Sequence, residues 1–206
     1  MSPATVPGPD GRPRCAWAVE PGWPPYLTYH DTEWGRPLHD DTALFEHLAL
    51  ESFQAGLSWR TMLAKRDRFR QVFADFDIAT VARYGQAEVE QLMTDPGIVR
   101  NRRKIEAVIG NARAARQLIA EEGSLAGYVW RWVPPAEELG EPLTATSSPT
   151  AIALSRDLKQ RGWRFVGPTT TFAFMEAVGL VNDHASGCVF RDVVERARRD
   201  MIMPTD

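Results

Sequence analysis

The chain has two cysteines and four histidines, and four of these six residues are spaced as metal ligands. Cys15 lies near the start, and His30 follows in the run YHDTEWG. Near the end, His184 and Cys188 stand four apart in NDHASGC. That spacing puts them on one face of a helical turn or in a tight loop. Two thiolates and two imidazoles would close a tetrahedral shell, the make-up of a structural zinc site. Such a site would tie the start of the chain to its end. The residues alone leave two other readings open: unrelated buried thiols, or one disulfide. His39 in a loop and His47 in a helix read as ordinary.

Glu51 is the second residue of chemical interest. It interrupts the apolar stretch LALESF. A carboxylate there must be exposed, paired or used. The tyrosines and tryptophans of a helical protein are, on their own, packing material.

Elements must hold these groups in place. At 206 residues the chain predicts one domain, in one or two lobes, with a substantial core. Asp41 or Thr42 is placed to cap a helix through LFEHLALESFQAG, with Leu44, Phe45, Leu48 and Ala49 on one face. Ser58 to Phe76 reads as one or two helices, and Asp77 as the cap of IATVARYG. Short and long helical patterns follow at 86–93 and 101–122, and Ser124 starts another. A loop rich in Pro, Glu and Thr runs from Pro134 to Ser148. Pro149 and Pro168 suit the first turns of two further helices. Only WRFVG is ambiguous between strand and coil. The expected class is all-α.

Residues 1–14 are rich in proline and polar groups and read as a flexible tail, without the apolar core of a secretory signal. Residues 15–190 form the expected domain, and 191–206 a helical extension and tail. The low cysteine count fits a reducing cytosol, and no stretch is apolar enough to span a membrane. A monomer is the expected state.

The net charge of −3 argues weakly against a protein that binds nucleic acid through overall charge. Its distribution matters more. Residues 60–70 carry five basic side chains against one acid, and residues 100–116 six against one. Such runs are commonly solvated helix faces, but they also permit a locally basic surface. Between the helices at 86–93 and 101–122 lies TDPGIVRN. A Pro-Gly turn leading into a basic helix start offers backbone amides and arginines to a phosphate. Gly97, Arg100, Arg102, Arg103 and Lys104 are the candidate contacts. The alternative is an ordinary helix–helix turn.

Taken together, YHDTEWG, LESFQAGLSW, DPGIVRNRRKIEAVIGNA, RGWRFVGPTTTFAFMEAVGLVNDH and the trailing Cys188 resemble the bacterial 3-methyladenine DNA glycosylase I family. The strings occur in the family's order across residues 14–188. The resemblance implies a helical helix-hairpin-helix glycosylase, the hairpin falling at about 86–122, with one structural zinc joining its termini. It implies Cys15, His30, His184 and Cys188 as the ligands, and a base pocket of Glu51, Tyr29, Trp34 and Trp59 with Tyr26 nearby. It points to Leu57, after Gly56, as an apolar wedge that fills the gap left by a flipped base. The implied reaction is hydrolytic release of 3-methyladenine from alkylated double-stranded DNA, with free 3-methyladenine as product. Ser52 and Phe53 depart from the family pattern beside the glutamate and leave the lesion range open.

Other readings stand beside it. Lys104 sits loosely where related lyases carry a Schiff-base lysine. A non-catalytic DNA- or nucleobase-binding module of the same fold would not need Glu51. A glycosylase for bulkier alkylated purines would share the site. A catalytic zinc would need an open position, which four protein ligands deny.

Overall fold

The computed structural model describes residues 4–19 and 23–201. Ten α-helices carry the fold among those residues: α1 (Pro24–Thr32), α2 (Asp41–Gln54), α3 (Trp59–Val72), α4 (Ile78–Val81), α5 (Gln86–Thr94), α6 (Arg102–Glu122), α7 (Leu125–Trp130), α8 (Pro149–Gln160), α9 (Pro168–Ala177) and α10 (Arg191–Asp200). The all-α expectation holds, with one small addition. Strands β1 (Thr5–Pro7) and β2 (Pro13–Cys15) pair antiparallel, Thr5 opposite Cys15. WRFVG forms no strand. No helix among the described residues is long and apolar enough to cross a membrane.

Local sequence sets the helix starts. Ser58, Asp77, Asn101, Ser124 and Ser148 each accept the backbone N–H three residues on. A polar side chain there satisfies a donor that the helix cannot. The cap expected at Asp41 or Thr42 falls instead on Asp40, which accepts from Ala43 at 2.8 Å. Asp41 reaches across to the Ala126 amide at 2.8 Å and so serves the first turn of α7.

Every residue of α2 from Leu44 to Phe53 is buried. Such a helix belongs at the centre of a fold, and α3, α6, α7 and α9 all pack on it. Phe53, Phe69, Phe73 and Phe76 stack beside it, with neighbouring ring centroids 4.6–6.2 Å apart. Each such side chain contributes about 1.5–3 kcal/mol through burial. Helix α1 had no periodic apolar signal. Its prolines occupy the first turn, where a missing N–H costs nothing. Its helical spacing then brings Tyr26, Tyr29 and His30 to one face.

The segment read as a flexible tail is paired and fastened from residue 5 onward; residues 1–3 lie outside the described residues. Arg14 is buried, bridges Asp10 and Asp31, and lies over the Phe190 ring. The Val189 amide donates to the Pro13 carbonyl at 3.0 Å, so β2 is held against the C-terminal segment. The C-terminal extension also packs. Val194 of α10 is buried, and Arg198 donates to the carbonyls of Gly179 and Leu180, both at 2.8 Å. The expected tail at 202–206 lies outside the described residues.

Gly179 follows α9 with φ of +88°, and a Cβ there would lie 2.8 Å from the Gly35 carbonyl oxygen and the Pro37 nitrogen. Both obstacles are backbone, so neither can rotate away. Gly179→Ala is expected to destabilise the protein by about 2 kcal/mol or more, read as a lowered melting temperature.

Candidate active site and metal cluster

Helices α1, α2, α3 and α9 converge on a cavity of about 220 Å³. Tyr26 and Tyr29 come from α1, Trp34 from the loop after it, Glu51 and Gln54 from α2, and Trp59 from the first turn of α3. Trp17 adds a further wall. The rings form two groups. Trp17 meets Tyr26 at 5.2 Å and Trp34 at 4.8 Å edge-on, while Tyr29 tilts against Trp59 at 5.4 Å. Trp59 Nε1 is buried without an acceptor among the described residues.

Glu51 is only 5% exposed. Burial alone pushes its carboxyl up to about 8, since no neighbouring cation or donor among the described residues holds the charged form. Tyr29 is raised well above the ordinary phenol range, by burial first and then by the Glu51 charge. At neutral pH the resting cavity therefore holds a protonated acid and a neutral phenol between aromatic faces. Such a slot gains a favourable partner when a positive ring enters it.

Two acidic residues not anticipated from the sequence also line the cavity. Glu176 projects from α9, and Asp183 lies just before His184. Glu176 is pushed up to about 9, by burial first and then by its hydrogen bond to Asp183. Burial raises Asp183 too, while the hydrogen bond from Glu176 pulls it back down. Both Asp183 oxygens accept the Leu143 amide at 3.0 Å. Leu143 has φ of +63° and lines the cavity, so the loop before α8 forms part of its wall. A signal for Glu176 existed: like Glu51, it is a carboxylate set in an apolar helix, FAFMEAVGL.

Ser52 and Phe53 do not line the cavity. Ser52 donates to the carbonyls of Leu48 at 2.8 Å and Phe165 at 3.2 Å, and Phe53 is fully buried against Phe69. Their effect is packing behind α2. His47 is buried, its pKa lowered to about 4 by burial, and it too lies outside the cavity wall.

Cys15, His30, His184 and Cys188 are all buried, with ligand atoms within 4.8 Å of one another. Cys188 Sγ lies 3.5 Å from His184 Nδ1 and 3.6 Å from His30 Nε2, and Cys15 Sγ 3.8 Å from His184 Nδ1. A tetrahedral ion with ligand bonds of about 2.0–2.3 Å needs edges of about 3.5 Å. The remaining ring nitrogens are also engaged. His30 Nδ1 meets Asp31 at 2.7 Å, and His184 Nε2 meets the Trp34 carbonyl at 3.2 Å. Such outer partners fix which nitrogen faces a metal. The Trp34 ring packs edge-on against His184 at 4.6 Å, so the cluster backs directly onto the cavity wall.

Loop 55–58 joins α2 to α3 at the cavity rim. Leu57 is 44% exposed, a rare position for a large apolar side chain in this protein. Gly56 has φ of +82° with open space around it, so it turns the chain and leaves Leu57 at the tip.

The basic run after the Pro-Gly turn divides into three environments. Arg100 and Arg103 are exposed and make no ion pair among the described residues. Arg102 is paired with Glu90 at 2.7 Å. Lys104 is buried, and its ammonium donates to the carbonyls of Phe53 at 2.8 Å and Ala55 at 2.6 Å. Its expected phosphate contact is thus replaced by an internal one, because the residue falls on the buried face of α6. Gly97 also differs from expectation. Its amide already donates to Asp95 at 2.7 Å, and a Cβ would lie 2.5 Å from Arg68 Cγ. Glycine there makes room for the Arg68–Asp95 pair and offers no free amide to a phosphate.

The chain matches the family model described as Methyladenine glycosylase over residues 17–192. It is 45% identical over 179 residues to DNA-3-methyladenine glycosylase 1 of Escherichia coli (strain K12), covering 85% of this chain and 95% of that one. A crystal structure of 3-methyladenine DNA glycosylase I superposes with a TM-score of 0.79 at 43% identity, covering 85% of this chain and 98% of that one. The enzyme from Staphylococcus aureus, solved for the structural basis of 3-methyladenine recognition, gives a TM-score of 0.78 at 39% identity over 84% and 95% of the two chains. The matched stretch holds every residue that lines the cavity, from Trp17 to Asp183, and on that footing the chain belongs to the methyladenine glycosylase family.

Proposed function

We propose that the protein is a monofunctional DNA glycosylase that flips 3-methyladenine out of alkylated double-stranded DNA and hydrolyses its N-glycosidic bond. One observation carries the reading: a buried, uncompensated carboxyl, Glu51, in a ring-lined cavity sized for a single base. At about 220 Å³ the cavity is smaller than the roughly 300–1,000 Å³ of drug-sized ligand sites. With Leu143 in its wall, it favours small lesions over bulky adducts.

Alkylation at the ring 3-position leaves adenine in DNA positively charged. Aromatic faces attract such a ring by about 0.5–2 kcal/mol per contact. Glu51, once ionised, accepts from the base and balances its charge. Asp183, hydrogen-bonded to the neutral Glu176, adds a further acceptor on another side. Unmodified adenine gains less from all of these. The chemistry then needs little acid catalysis: the bond from sugar C1′ to the base breaks, its electron pair leaves with the base and neutralises it, water adds to C1′, and a proton passes to solvent.

Leu57 enters the stack where the base leaves, and the exposed Arg100 and Arg103 contact the DNA backbone from the start of α6. Lys104 supports a hydrolase over a lyase, because its ammonium is already committed to two carbonyls. The Cys15, His30, His184 and Cys188 set suits one zinc ion. Four protein ligands make that ion structural, and it would pin the chain termini behind the cavity. The protein acts as a monomer in the cytoplasm.

Incubation with methylated duplex DNA, followed by chromatography of the supernatant, tests the reading. Free 3-methyladenine is expected, with no borohydride-trapped adduct. Leu57→Ala is expected to lower release from duplex by about tenfold while leaving free-base binding intact. A protein that released no methylated base would refute the assignment.

A further inference from the structure

Lys104 stands out as a buried cation without a carboxylate partner among the described residues. It is the third residue of α6, and Asn101 caps its amide at 3.2 Å. Its side chain runs inward to the far end of α2, where Phe53 and Ala55 present carbonyls. Carbonyls at a helix C-terminus lack partners within the helix and sit at its negative pole. An ammonium is well matched to that position. The same short segment carries Glu51 just upstream and Gly56 and Leu57 just downstream.

The other side of the turn is fastened too. Lys65 of α3 donates to the Pro96 carbonyl at 2.9 Å, and Arg68 of α3 pairs with Asp95 at 2.6 Å. The turn before α6, the N-terminus of α6, the loop 55–58 and α3 are therefore cross-linked by three basic side chains. Only Lys104 joins α6 to the loop itself among the described residues.

We propose that Lys104 is a positioning residue for base flipping: it fixes the Leu57 loop to the helix start whose exposed arginines seat the DNA backbone. Backbone docking and wedge insertion then occur as one rigid movement. The inference rests on the wedge and backbone roles proposed above.

Lys104→Met keeps the stem and removes the donors. Its excision of 3-methyladenine from methylated duplex is expected to fall about tenfold or more, since a small misplacement of a positioning element has that scale of effect. Excision from methylated single strands, where no stack must be opened, should stay within about threefold, as should binding of free 3-methyladenine followed by tryptophan fluorescence. Lys104→Arg, which retains donors, should recover part of the duplex activity. Insertion of one glycine between Gly56 and Leu57 leaves both Lys104 bonds in place but uncouples Leu57 from them, without touching the core, and should reproduce the duplex-only loss. That second variant decides the matter if Lys104→Met does not fold. Equal losses on single and double strands, or full duplex activity in the insertion variant, would overturn the role. A wild-type protein inactive on both substrates would instead overturn the proposed function, before any variant is compared.

Discussion

Glu51→Gln is expected to lower excision of 3-methyladenine by about 10- to 100-fold, the scale of one lost charge-assisted hydrogen bond. The substitution keeps volume and removes charge, so the fold and the metal cluster should be intact. The pH dependence is the sharper test. In the free protein Glu51 holds its proton up to about 8. A cationic base favours the carboxylate, so binding should release a proton. Excision by the wild type should therefore rise with pH toward about 8 and then level, while Glu51→Gln should lose that rise.

Stability should move the other way. The carboxyl is raised from 4.5 unfolded to about 8 folded, so its contribution is present below the lower value and is lost as pH rises through the upper one. Glu51→Gln escapes that loss. Thermal melts should show the variant gaining on the wild type as pH increases, by up to several kcal/mol at pH 9. Single-turnover release across pH 5–9, with melts in the same buffers, checks both halves. Unchanged excision with a flat profile difference would remove Glu51 from the site.

Loss of the metal cluster should have the second large effect. Cys188→Ser and His184→Ala are each expected to abolish stoichiometric zinc and to cost about 3–5 kcal/mol or more, because structural zinc binding is itself folding free energy. Excision should fall with the folded fraction, and somewhat further where the folded variant's cavity wall has loosened. The structural reason is specific: His184 meets both the carbonyl and the ring of Trp34, so an unpinned His184 leaves a cavity wall unsupported. Metal analysis, near-ultraviolet circular dichroism and excision on the same samples distinguish the roles. Zinc lost with the melt unchanged and turnover gone would mean the ion takes part in chemistry.

The Cys15, His30, His184 and Cys188 cluster was legible because cysteine and histidine are scarce here, but scarcity left zinc, separate thiols and a disulfide open, and the family resemblance chose among them. Glu51 was legible because a carboxylate in an apolar helix demands a reason. Glu176 posed the same question and went unnoticed, for its partner Asp183 adjoins it only in space. Lys104 was misread as one of a basic run. Yet it shares a helical face with Val108, Asn111 and Ala115, all buried, and that period separates it from its exposed neighbours Arg100 and Arg103. The β1–β2 pair could not be read locally. Its strands have three residues each, with prolines at the turn ends, and contacts of Arg14 and Pro13 with distant parts of the chain hold it. Helix α1 was hidden likewise, its alignment set by where Tyr29 and His30 are buried.

Cys15 and His184 meet across 169 positions of sequence. During synthesis the segment bearing Trp17, Tyr26 and Trp34 emerges first, and its clasp emerges last. Nearly the whole helical body must exist before those rings gain their backing. Closing so long a loop costs only slightly more entropy than closing a moderate one, so the Cys and His cluster can close at the end. The topology thus lets the nascent chain build its core first and back its ring-lined cavity last.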